Sequence, residues 1–258
     1  MPMYPLSPLW WPRRNATSDT RVAEKRSLGK RLLRWLGVLT LAWLVFSVGT
    51  VLCMRWLHPL TSTFIVRDRA AALFSGDQSY HFEHHWVGWH SISTEMKVAV
   101  IAAEDQKFPE HHGFDFDSMQ HAWQHNQHGR KVKGASTISQ QVAKNLYLWP
   151  GRSLLRKAIE AYFTVLIETC WPKQRILEVY LNTAEFGKGI FGVEAASQHF
   201  FHKPAAQLGP QEAALLAAVL PGPKHYLVNK PSAYLRTRQA WIVAQMYQLG
   251  GAELLNGL

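Results

Sequence analysis

Between Trp35 and Met54 the chain reads WLGVLTLAWLVFSVGTVLCM, twenty positions without a charge. At a rise of about 1.5 Å per residue this run is long enough to cross the hydrocarbon core of a bilayer. A secretory signal peptide would be shorter and end at a small-residue cleavage site; none follows here, so the pattern predicts an uncleaved anchor. Residues 56–94 lack helical periodicity. Within them Thr63-Phe64-Ile65-Val66 and Tyr80-His81-Phe82 look like short strands separated by Gly76, which predicts a small hairpin near the membrane surface. Downstream the period changes. Thr94 caps a helix over 95–107 that Pro109 ends, and a polar segment covers 116–131. Further helices are expected at 138–147, 154–170, 172–182, 193–201, 211–220 and 232–249, with Gly187, Gly189 and Gly192 marking a loop. There is no repeat and no strand–helix alternation, so the predicted class is mostly α.

Charge sharpens the anchor. The formal net charge is +10, but residues 1–34 carry eight Lys/Arg (Arg13, Arg14, Arg21, Lys25, Arg26, Lys30, Arg31, Arg34) against Asp19 and Glu24, leaving +4 for the remainder. The cationic flank predicts a cytoplasmic N-terminus, with everything after residue 55 on the far side. Because the excess sits beside the anchor, the basic balance is no argument for nucleic acid as a partner. With Cys53 inside the span and Cys170 far along the chain, no disulfide framework is expected.

Three stretches carry candidate chemistry. In AAEDQKFPEHHGFDFD (102–117), Glu104 follows Val100 and Ile101 on the apolar side of its helix. Partial burial would raise its proton affinity, as a general base requires; a plain acid at a helix end is the structural alternative. In KGASTISQQVAKNL (133–146), Gly134 and Ala135 permit close backbone approach. Ser136, Thr137, Ser139, Gln140 and Gln141 then crowd a helix start, with Lys144 on the face of Gln140 and Gln141. Such a start suits a phosphate or sugar, or is simply a capped helix with a polar face. In RSLLRKAIEAYF, Arg156 and Glu160 are four apart with Lys157 adjacent, among Ala158, Ile159, Ala161, Tyr162 and Phe163. An exposed pair of this kind contributes only about 0.3–0.5 kcal/mol, whereas a half-dry acid resembles one member of the paired carboxylates of glycosyl transfer. His121, His125 and His128 have metal-like spacing, but no Cys or well-spaced acid completes a site, so a solvated polar face is the reading.

These stretches occur in the order found in peptidoglycan glycosyltransferases, and the chain resembles the short monofunctional biosynthetic form, whose family includes the glycosyltransferase domain of class A penicillin-binding proteins. The motif E-D-x-x-F-x-x-H-x-G-x-D is matched by Glu104, Asp105, Phe108, His111, Gly113 and Asp115. The motif G-G-S-T-I-T-Q-Q-x-x-K-N-L is matched by Gly134, Ser136, Thr137, Ile138, Gln140, Gln141, Lys144, Asn145 and Leu146, with Ala135 and Ser139 as one-carbon departures. Arg156, Lys157, Glu160 and Ala161 fit R-K-x-x-E-A. Arg175–Asn182 with Gly187, Gly189 and Gly192, then Gln211–Ala214 with Pro221 and Tyr226, fit the fourth and fifth motifs. His199-Phe200-Phe201 departs from the usual Tyr-Phe or Tyr-Tyr-Phe. The likeness covers about 90–230.

The resemblance implies a lysozyme-like helical head with a smaller membrane-facing jaw. It divides the chain into a basic cytoplasmic tail (1–34), a transmembrane helix (35–54), a membrane-proximal linker or jaw segment (55–94) and a glycosyltransferase domain (95–258). The activity implied is polymerisation of lipid II into β-1,4-linked glycan with inversion, releasing undecaprenyl diphosphate, at a bacterial inner membrane with the catalytic domain periplasmic. No transpeptidase domain fits after residue 258, so the expected activity is glycan polymerisation alone. Glu104 would be the general base and Glu160 would assist at the pyrophosphate, with a divalent cation (Mg or Mn) bound there and no organic cofactor. Lys144, Arg156, Lys157, Ser136, Thr137, Gln140, Gln141 and Asn145 would hold substrate, and Asp105, Phe108, His111, Gly113 and Gly134 would support the motifs. Expected partners are lipid II, the growing glycan chain, membrane lipid and cell-wall or division proteins. A lysozyme-like lytic enzyme would need one acid and a sugar cleft but no cations gathered for a diphosphate. A silent membrane-anchored scaffold would need neither.

Overall fold

In the computed structural model the described residues are 16–76, 80–127, 134, 136–151 and 153–258; within 16–29, and at Asn126, only the backbone is described. His128, Ala135 and the cations Arg13 and Arg14 lie outside them. The chain forms two compact units, Met1–Thr50 and Val51–Leu258. The first consists of most of α1 (Ala16–Met54), in which Lys30–Met54 has a mean hydropathy of 2.2 and is long and apolar enough to cross a membrane.

The second unit is mostly helical, as the pattern predicted. Its centre is α3 (Thr94–Glu104), buried from Met96 to Ala102. A helix apolar on all sides must be covered on all sides. Here α9 (Pro210–Val219) packs on one side, buried without interruption from Ala213 to Val219, and α10 (Ala233–Gln248) on another. The Ala-rich face of α9 lets the backbones approach closely. A second layer joins α5 (Ile138–Tyr147) to α6 (Leu154–Cys170) and α7 (Lys173–Thr183). Next to α7 lie α8 (Val193–Phe201) and a three-stranded sheet of order β1-β3-β2: β1 (Glu83–His84) runs parallel and β2 (Glu185–Gly187) antiparallel to β3 (Ile190–Phe191). At the start of the unit, buried Arg175 donates from Nη2 to the carbonyls of Met54 and Leu57, at 3.0 and 2.7 Å, and Trp171 Nε1 donates to Val51 O at 2.7 Å. Both cysteines are free.

Several sequence expectations are corrected. The strand-like Thr63–Val66 opens α2 (Thr63–Ser75), capped by Ser62, whose hydroxyl accepts from Ile65 N at 3.2 Å, and closed by Gly76 at φ +64°. Three β-branched residues at its start, Thr63, Ile65 and Val66, concealed the helix; the cap and the packing of α2 on α5 override their preference. The predicted hairpin is therefore absent: Tyr80–Phe82 is not strand, and β1 begins just after it at Glu83 and pairs with a segment a hundred residues away, which no local signal reveals. The polar segment expected over 116–131 contains α4 (Phe116–Gln127), begun by Asp115, whose Oδ1 accepts from Ser118 N. The helix expected over 95–107 stops at Glu104, because Asp105 at φ −162° leaves the helical region.

Candidate active site

Glu104 is the last residue of α3, where helix geometry ends and the chain turns into the loop carrying His111 and Gly113. Its carboxylate lines a cleft of about 680 Å³. The cleft wall also includes Ser118, His121 and His125 of α4, then Gly134, Ser136 and Thr137, and Trp241 of α10. The side chain is only 14% exposed. Burial pushes its pKa above the usual glutamate value, and neighbouring Asp105 adds to the rise. Three groups pull the other way: Gln141 Nε2 donates to Oε2 at 2.9 Å, the Arg238 guanidinium lies 3.8 Å from Oε1, and Lys144 acts by its charge.

The loop after Glu104 is fixed by Asp105. Its Oδ2 accepts from Ile138 N, the first N–H of α5, at 2.9 Å, and both oxygens lie 3.0 Å from His111 Nε2. Gly113 N donates to His111 Nδ1, so Nδ1 is the acceptor and Nε2–H points at Asp105. Gly113 has φ +92°, and a Cβ there would meet Thr164 Cγ2 at 2.8 Å. Its carbonyl accepts from Thr137 Oγ1 at 2.7 Å. Phe108 is fully buried, edge-on to His111 and beneath the Lys173 ammonium. Asp105, Phe108, His111 and Gly113 thus form one turn, tied to α5, that follows Glu104 at the cleft.

Thr137 and Gln140 form a capping box at the start of α5, each side chain bonded to the other's backbone, and both are 2% exposed. Their polar groups thus serve α5 itself, and Thr137 alone of the pair reaches the cleft wall. Gly134 and Ser136 are exposed at the cleft, and Asn145 is half-buried on the side of α5 whose carbonyl accepts from Thr63 Oγ1 of α2. Buried Ser139 donates to Glu168, which also binds Lys173 at 2.8 Å.

Glu160 is 2% exposed, drier than the half-dry carboxylate expected. Arg156 Nη1 donates to Oε2 at 3.0 Å and Lys157 Nζ to Oε1 at 2.5 Å. The buried setting removes the surface ion-pair alternative for Arg156 and Glu160. Lys144 feels both acids: burial lowers its pKa, while the charges of Glu160 first and then Glu104 oppose this. Its ammonium faces the Phe64 ring of α2 at 5.6 Å. A divalent cation fits poorly as a protein-held ion here. Both Glu160 oxygens already bind cations, and among the described residues no group of three His, Cys, Asp or Glu could ligate a metal, the His121 and His125 pair included.

With the geometry in place, comparison with known proteins gives the lineage. The family model described as transglycosylase matches residues 72–247, which span both carboxylates, Lys144 and Arg238. The chain belongs to the transglycosylase family. Proteins called biosynthetic peptidoglycan transglycosylase are similar along nearly the whole length. That of Pasteurella multocida is 54% identical over 211 residues, covering 82% of this chain and 86% of the relative. That of Ectopseudomonas mendocina is 52% identical over 233 residues, covering 90% and 94%. That of Citrobacter koseri is 51% identical over 244 residues, covering 93% and 98%.

Two groups in this candidate site escaped the sequence reading. Arg238 and Trp241 reach it from α10, more than a hundred residues after Glu104, on a helix whose pattern shows only packing. Their spacing of three, followed by a spacing of four to Gln245, which accepts from Gln106 Nε2 at 3.1 Å, puts all three on the face of α10 toward the end of α3. That shared face was the available signal. Tyr180 was matched to a motif without a role; its hydroxyl lies 3.2 Å from Gln141 Oε1.

Proposed function

We propose that this transglycosylase polymerises lipid II into the glycan strands of peptidoglycan, with Glu104 as the base and Lys144, Arg156 and Lys157 at the leaving group. The observation that carries the reading is the pairing of a buried cleft carboxylate with a second carboxylate that holds Arg156 and Lys157, with Lys144 in the field of both acids. In the step, the acceptor sugar's 4-hydroxyl attacks the anomeric carbon of the growing chain. The hydroxyl proton passes to Glu104, and the bond from that carbon to the diphosphate oxygen breaks with its electron pair. Attack opposite the leaving group inverts the centre and gives a β-1,4 link. Charge then accumulates on undecaprenyl diphosphate, the largest electrostatic demand of the reaction. Arg156 and Lys157 are held in advance by Glu160, so little reorganisation is needed as that charge develops. Gly134 and Ser136, exposed at the cleft, and half-buried Asn145 offer donors to sugars and phosphates. Any divalent cation would arrive on the diphosphate oxygens rather than on protein ligands.

The same reading places the N-terminus in the cytoplasm and the catalytic unit outside a bacterial inner membrane, supported by the cationic flank of the span. An anchored enzyme stays beside a substrate whose polyprenyl tail remains in the bilayer. Purified protein in detergent, given lipid II, is expected to form long glycan chains. Absence of chains, or fragmentation of finished peptidoglycan, would overturn the assignment.

A further inference from the structure

An ionised carboxylate can only accept hydrogen bonds, and a glutamine side chain can present either its NH2 or its carbonyl to a neighbour of the same shape. Gln141 presents Nε2 to Glu104 Oε2 at 2.9 Å. Turned about, it would place a carbonyl oxygen against the carboxylate and favour the protonated form, which cannot take a proton from a sugar hydroxyl. Something must select the orientation. On the other side of the amide, Tyr180 Oη donates to Gln141 Oε1 at 3.2 Å. Tyr180 is 1% exposed on α7, and burial holds its phenol well above its ordinary pKa, so it remains a hydroxyl. The apolar surroundings make an unmet amide or hydroxyl costly, and this favours the arrangement in which both are satisfied.

We infer that Tyr180 is a positioning residue for the reaction: its hydroxyl locks the Gln141 amide so that the NH2 faces Glu104 and keeps the base ionised. The inference rests on Glu104 being the base. The charged and titratable groups facing Glu104 are Asp105 at its own helix end, Lys144 on α5, Arg238 on α10 and Tyr180 on α7. Of these, Arg238 and Lys144 act through charge, while the amide is the direct hydrogen bond and has no charge of its own. Its contribution therefore depends wholly on orientation.

The test is the pH dependence of kcat/KM for lipid II polymerisation by the full-length protein in detergent. Tyr180→Phe keeps the ring and removes only the hydroxyl. The expected result is an acid limb moved up by about one pH unit, the size of one neutral hydrogen bond lost to an ionised group, with KM unchanged. Gln141→Leu is expected to move the limb at least as far, and adding Tyr180→Phe to it is expected to move it no further. A purely structural tyrosine would lower the melting temperature and leave the limb in place, and that result would overturn the inference. So would full additivity of the two substitutions, a comparison that remains readable even if Tyr180→Phe is poorly stable. Glu104→Gln separates the two levels: if it still turns over, the base is misassigned; if it is inert while the Tyr180→Phe limb is unmoved, only the lock is wrong.

Discussion

Glu104 combines three influences that disfavour its charge, burial, the neighbouring Asp105 and the C-terminal end of a helix, with an amide and two cations that restore it. Because its folded pKa lies above the unfolded value, ionised Glu104 costs the folded state stability at neutral pH, and the cost disappears as pH falls through that pKa. Glu104→Gln is therefore expected to abolish polymerisation while raising the melting temperature at pH 7, by about 2–4 °C per kcal/mol recovered, measurable by calorimetry. Lys144 runs the opposite way. Burial lowers its pKa, so its charge is lost at lower pH than an ordinary lysine's, and activity should fall as pH rises through it. Lys144→Arg is expected to shift that basic limb upward, and Lys144→Ala to weaken donor use, in steady-state kinetics across pH. At this scale much was legible: both acids and the cations could be read as candidates from polar groups set among apolar ones. Arg238 could not, because nothing near it in sequence mentions a carboxylate.

At the scale of elements, the turn from Glu104 to Gly113 and the start of α5 are one mechanical part. Gly113→Ala would force a Cβ into Thr164 and Glu168 at a positive φ, an expected loss of about 2–4 kcal/mol with activity falling alongside; urea denaturation measures the first. Thr137→Ala removes a cap and the bond to the Gly113 carbonyl, for about 1 kcal/mol. A larger effect on kcat than on stability would show that the turn positions the base. The helices of the catalytic unit were legible from periodicity and caps. Two helices were not: α2 is hidden behind β-branched residues, and α4 is polar overall, with its large apolar residues Phe116, Met119 and Trp123 exposed instead of packed in a core.

Across the whole molecule, the long apolar segment of α1 is followed by a catalytic unit with its own exposed apolar residues. Trp56, Leu57, Leu60, Leu73 and Phe74 are all more than 60% exposed, Leu60 at 98%. All five fall between the end of α1 and the end of α2, and exposed apolar side chains that gather into a patch mark a membrane or partner surface. A truncated form beginning at Val51 is accordingly expected to float with lipid vesicles in a density gradient and to need detergent for solubility. A soluble, vesicle-free truncated form would refute a membrane-facing role for the segment 56–89.

The sequence by itself determined the mostly α class, the apolar span and the local motifs, because each is written in periodicity, caps and residue type within a few turns of chain. It also ordered the acids and cations along the chain. Only the tertiary structure decided which of them share a site and in what state. Proton affinity depends on burial, on charges brought from α5 and α10 and on the Gln141 amide that α7 holds through Tyr180, and those distances are set by how the helices pack. Thr137 and Gln140 show the same division from the other side: their polar side chains look ready for a ligand in the sequence, and packing turns them to the backbone of α5.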